Sequence, residues 1–133
     1  MLNLSSEIKL VIIEKLIEVG RKNPEILEDK FPSFFINMLE KHYVKLKKIE
    51  LLEVVANDYN FNKIVDELMY YIRSDNLEIQ QSAIRAVGNI GKKQKKYLVK
   101  CTKVLLNLLK NNSKKSIDEI AIQLCRFIKE VPI

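Results

Sequence analysis

Four stretches of the chain carry one pattern of apolar and polar positions and can be laid over one another without gaps. They begin at Ile8, Val44, Ile79 and Ile117. Five positions on stand Ile13, Ile49, Ile84 and Ile122; eight on stand Leu16, Leu52, Val87 and Cys125. Eleven on stand Val19, Val55, Ile90 and Ile128, and offset four holds Ile12, Ala83 and Ala121. Such offsets trace one face of an α-helix. Successive copies are 36, 35 and 38 residues apart, a little below the period of HEAT and armadillo repeats. In those arrays a helix pair cannot bury its apolar face alone, so neighbours stack. The pattern predicts an all-α fold, a HEAT/armadillo-like solenoid of stacked antiparallel helix pairs.

Partner helices fill the gaps between the copies. Asn23-Pro24 reads as a helix start, with Asn as cap and Pro in the first turn. That helix would run through Ile26, Leu27, Phe31, Phe34 and Phe35 and bend or break at Pro32. Asn60 reads as the cap of a helix burying Ile64, Val65, Leu68, Met69 and Ile72. The third partner turns Val104, Leu105, Leu108 and Leu109 inward. Seven helices are predicted, near 5–21, 24–38, 42–57, 60–74, 76–91, 95–110 and 114–130. They group into repeats near 5–38, 42–74 and 76–110, with a half repeat at 114–130. Gly20 and Gly91 read as helix stops or close-packing points. Gly88, inside a helix, costs about 1 kcal/mol relative to Ala and predicts a closely approaching neighbour. Both terminal helices are apolar and the chain ends Val131-Pro132-Ile133. A finished solenoid carries polar caps, so residues 1–133 read as one solenoid segment of a larger trunk.

Composition narrows the alternatives. Of 133 residues 47% are hydrophobic and 30% charged, enough apolar material for a core. Only three Gly and three Pro are present, too few for the turns of an all-β fold. Uninterrupted apolar runs reach only about four residues, which excludes a membrane-spanning helix or signal core. Cys101 and Cys125 form no close pair, and Cys125 falls on a core offset of the repeat. Both are expected as small buried hydrophobes in a soluble, reduced, cytoplasmic protein.

Catalytic chemistry finds little support. His42 is the sole histidine, so no histidine metal cluster can form. The pairs Asp66–Glu67 and Asp118–Glu119 are adjacent on helices, where side chains diverge by about 100°. No GxxxxGK[ST], GxGxxG or HExxH motif appears. The expectation is no enzyme, no cofactor and no metal.

Charge is the remaining signal. The net charge is +6, yet residues 1–75 carry 11 basic against 13 acidic residues and residues 76–133 carry 12 against 4. Nine lysines and no acid occupy residues 92–115. Lys92, Lys93, Lys95, Lys96, Lys100, Lys114 and Lys115 form a candidate surface for an anionic partner. The competing readings are a solvated loop and a module that binds acidic lipid or nucleic acid there. Sequence-specific nucleic-acid readers add Arg, Asn or stacking aromatics, and only Tyr97 is near.

Specific residues also match a known family. The stretch PEIL at 24–27, Phe34-Phe35, then YVKLKKIELL from Tyr43 resembles the trunk of β-adaptins, the β-type large subunits of heterotetrameric adaptor-protein complexes. VANDYN from Val55, IVDEL from Ile64 and AIRAVG from Ala83 extend the resemblance. Cys101 with VLLNLL from Val104, then DEIAI from Asp118, complete a collinear match over roughly residues 5–131. PEIL and YVKL match the Golgi and plasma-membrane types; LEVVAN and YIRSDN match the endosomal–lysosomal type as well. The resemblance implies a non-enzymatic scaffold for vesicle coat assembly and cargo sorting. Its implied partners are a second large chain, a medium chain and a small chain. It implies peripheral attachment to Golgi, endosomal or coated-vesicle membranes, and no nucleic acid. The family is less lysine-rich than this chain at residues 92–96.

Overall fold

In a computed structural model, residues 4–111 and 117–130 are described, and all regular structure among them is helical. The α-helices are α1 (Ser6–Lys22), α2 (His42–Val55), α3 (Phe61–Ile72), α4 (Leu77–Lys93), α5 (Lys95–Asn111) and α6 (Ile117–Glu130). Two 3-10 segments, Pro24–Ile26 and Glu28–Phe34, separate α1 from α2. This is the expected all-α, helical-repeat class. The predicted helix start at 114 and the apolar terminus at 131–133 lie outside the described residues. The chain forms two compact units, Met1–Ile64 and Val65–Ile133.

In the first unit the Ser5 hydroxyl caps α1, accepting from the Ile8 N–H. Helices α1 and α2 pack side by side in the same direction: Lys9 pairs with Glu40, and further along Arg21 pairs with Glu50. At Gly20 a Cβ would stand 2.9 Å from Val54 Cγ1, so the missing side chain lets the two helices close.

The predicted α-helix over 24–38 is replaced by the two 3-10 segments. Pro32 has no N–H, its ring crowds the carbonyl four residues back, and it disfavours α geometry at Phe31. Tighter turns result: Leu27 N–H donates to Pro24 O at 3.1 Å and Phe35 N–H to Pro32 O at 3.3 Å. Leu27, Phe31 and Phe34 are still buried, whereas Ile26 is exposed. Asn60 is wholly buried before α3. Its amide donates to Val55 O, an end carbonyl of α2, and to Glu28 O, and accepts from Asn57 N–H. Ile64, Val65, Leu68 and Ile72 of α3 are buried as the pattern predicts.

In the second unit Asn76 caps α4 by accepting from Ile79 N–H. The buried Gln80 amide donates to Ile72 O at 2.8 Å. Gln94 alone links α4 to α5, making a tight hairpin. Helix α6 runs along α4 in the same direction, with Arg85 on Glu119, Gly88 on Gln123 and Gly91 on Phe127. Positions about one repeat apart thus touch, which is the stacking that the period implies. A Cβ on Gly88 would lie 2.6 Å from Gln123 Cδ. The close neighbour expected at this glycine is α6.

The repeat's core offsets are all buried in the second and third copies, whereas in the first and fourth copies Ile13 alone is buried. Val44, Ile49, Leu52, Val55, Ile79, Ile84, Val87 and Ile90 are buried. Ile8, Val19, Ile117, Ile122 and Ile128 are exposed, and Leu16 is half-buried. Cys125, expected in the core, is exposed, while Cys101 is buried. The cause is the number of neighbours: α4 lies against both α5 and α6. Helix α6 turns Ile120, Gln123 and Phe127 toward the unit, and Ile122, Cys125 and Ile128 point the other way.

Candidate functional site

The lysine segment maps to the elbow between α4 and α5. Residues 92–96 are all exposed, so Lys92, Lys93, Lys95 and Lys96 lie at the surface of one elbow. Lys92 and Lys93 sit in the last turn of α4, where positive charge complements the helix dipole. Lys95 and Lys96 open α5, whose first turn holds no acid. There their charge adds to that of the helix N-terminus.

Lys100 leaves this cluster: half-buried, it pairs with Asp66 at 3.5 Å. Lys114 and Lys115 lie outside the described residues. Tyr97 is 3% exposed, with Lys96 Nζ 5.9 Å from its ring centroid. It offers no open face on which a base could stack.

Outward residues of α5 extend the cationic surface beyond the predicted set. Lys103 and Lys110 are exposed, and Val99 and Leu106 are exposed between the lysines. Their signal was present in the chain as spacing, but the buried run of α5 is stronger and hides it.

Two polar clusters, one around the buried Glu40 side chain and one part-buried, hold the helices in place. Glu40, its side chain 3% exposed, receives Lys48 Nζ at 2.8 Å and Lys9 Nζ at 3.6 Å. The Asn37 N–H also donates to Glu40 at 2.7 Å, and Lys48 donates to Phe35 O at 3.1 Å. This cluster ties the irregular segment before α2 to both α1 and α2. Between α4 and α6, Arg126 donates to Gln123 Oε1 and Asn89 Oδ1, and Gln123 donates to Glu119. Neither cluster was legible in the chain, because its members look like ordinary polar and charged surface residues.

Burial pushes the Cys101 thiol up to about 12, only weakly opposed by Lys100. It is therefore no nucleophile at neutral pH. Among the described residues, no group of three or more His, Cys, Asp or Glu could hold a metal ion. Nor is any described helix long and apolar enough to cross a membrane. The geometry is that of packed helices with exposed faces.

Known proteins give this geometry a context. The adaptin N-terminal region family matches residues 1–133. The chain is 26% identical over 132 residues to the AP-1 complex subunit beta of Dictyostelium discoideum, covering 99% of this chain and 14% of that protein. It is 24% identical over 132 residues to the human AP-1 complex subunit beta-1, with the same coverage of 99% and 14%. Against the mouse AP-4 complex subunit beta-1 it is 34% identical over 86 residues, covering 65% of the chain and 11% of that protein. The chain thus spans about 14% of the length of the first of these relatives.

Proposed function

Because the chain belongs to the adaptin N-terminal region family, we propose that it is a scaffold segment in the β-type large subunit of an adaptor-protein coat complex. The observation that carries this is the stacking of α6 on α4 in one direction, a repeat apart, in a chain matched over its full length by that family. Residues 1–133 act as one solenoid segment, with repeats near 5–38, 42–74 and 76–110 and a half repeat at 114–130. The outward face of α6 carries the core offsets of the repeat, so a further helix pair of the same trunk covers it.

The work of such a segment is mechanical. Each helix pair holds its neighbours in register, and the solvent faces bind a second large chain, a medium chain and a small chain. The relatives' names support these partners, since each is a subunit of an AP complex. Function is non-enzymatic: vesicle coat assembly and cargo sorting at Golgi or endosomal membranes, from the cytoplasmic side and without a membrane span of its own.

The test is affinity purification of the complete polypeptide carrying this segment, tagged at its natural level. Recovery in equal amounts with one large, one medium and one small adaptor chain is expected. A lone monomer in cell extract contradicts the reading.

A further inference from the structure

Along α5 the residues Lys96, Val99, Lys103, Leu106 and Lys110 follow one another at alternating steps of three and four. All five are exposed, with Val99 at 60% and Leu106 at 45%. Steps of three and four place side chains in a single row along a helix, the seam of a coiled coil. Here Val99 and Leu106 hold one of the two seam positions and lysines hold the other. Helix α5 contains no Asp or Glu. Its opposite face, with Tyr97, Cys101, Val104 and Leu105, is already buried in the unit.

We propose that this outward row of α5 docks an amphipathic helix from another protein segment, one presenting Leu or Ile residues flanked by Glu or Asp. From Lys96 to Lys110 the row spans about 21 Å, room for roughly two heptads of partner. The lysine stems extend the apolar strip set by Val99 and Leu106, and their ammonium groups stand at its edge, where carboxylates would meet them.

Charge selects this occupant over a second copy of the chain, which would bring lysine against lysine. Width selects it over a membrane. A helix lying in a lipid surface needs a broad apolar face with Trp, Phe or Leu, and this row offers one side chain per turn or less. Helix α5 carries the row whether or not the scaffold reading holds.

The probe is a labelled peptide of about 21 residues with Leu at the seam and Glu beside it, titrated against the 133-residue chain by fluorescence anisotropy. A matched peptide with Lys for Glu and vesicles of phosphatidylserine and phosphatidylcholine run in parallel. The acidic peptide should bind, and the Lys peptide should not. The triple variant K96E/K103E/K110E should weaken binding by about tenfold or more, and V99S/L106S should also weaken it. All five side chains are exposed, so both variants should keep the parent circular dichroism; K103E alone replaces the triple variant if that one unfolds. Failure of the acidic peptide to bind overturns the proposal, as does binding that these variants leave unchanged. Vesicle binding in preference to the peptide overturns it too, and makes the face a membrane contact.

Discussion

Gly91→Ala should destabilise the chain by about 2 kcal/mol, the cost of forcing a methyl into a filled contact. In an open helix the same change would stabilise by about 1 kcal/mol, because Ala is the better helix former. The sign therefore reports the packing. A Cβ at residue 91 would stand 2.6 Å from Phe127 Cζ and 3.1 Å from Cys101 Cβ. The Phe127 ring is buried and cannot swing away as a surface side chain would. In a Phe127→Leu background the collision with the ring is removed, and the added methyl should cost much less. Urea unfolding of the four chains that make this cycle measures the coupling between α4 and α6 directly. Equal costs in both backgrounds would show that the two helices are not in contact there.

Removing one partner from the Glu40 cluster should be costlier still. Glu40→Ala leaves Lys48 buried without its carboxylate, and breaking a buried pair in this way costs about 3 kcal/mol. Acid should act on the same site. Burial alone would raise the Glu40 carboxyl, but Lys48, the Asn37 N–H and Lys9 together outweigh it and hold it below its ordinary value of 4.5. A carboxyl lowered in the folded state contributes stability above its unfolded value and loses it as pH falls through the folded one. The parent chain should lose stability on acidification below about pH 4.5, and Glu40→Gln should remove that part of the slope. Thermal melts from pH 6 to pH 3 compare the two. Equal slopes would mean that Glu40 is already protonated or unpaired in the folded chain.

These clusters show where sequence reasoning ends. The second and third copies of the repeat were legible, because apolar periodicity marks the face that a neighbouring helix covers. Ile84 and Ile49 are buried for that reason. The same offsets misplaced Cys125 and Ile122, since periodicity identifies a face suited to burial without saying what covers it. Residues 24–38 carry apolar residues that are buried at Leu27, Phe31 and Phe34, and Pro32 signals a departure from α geometry there. That the outcome would be two 3-10 segments depended on local turn geometry that no periodicity encodes. Gly88 announced a close neighbour by its cost alone; that the neighbour is Gln123 depends on the fold.

The lysine elbow was likewise legible as charge, since like charges in a short stretch stay exposed. Its division was not. Lys100 turns to Asp66, while Lys103 and Lys110 join Val99 and Leu106 in one row. Both outcomes follow from helix phase, which a tally of lysines discards.

On the proposed scaffold reading, the outward face of α6 is covered by further helices of the same trunk. Cys125 lies on that face and is exposed in the chain, while Cys101 is buried. Maleimide labelling at neutral pH, read by mass spectrometry of the two cysteine peptides, tests it most directly. In the 133-residue chain Cys125 should react readily and Cys101 slowly. In the complete folded polypeptide Cys125 should become protected, reacting as slowly as Cys101. Equal reactivity of Cys125 in both would mean that no further repeat stacks on α6, and the scaffold reading would fail.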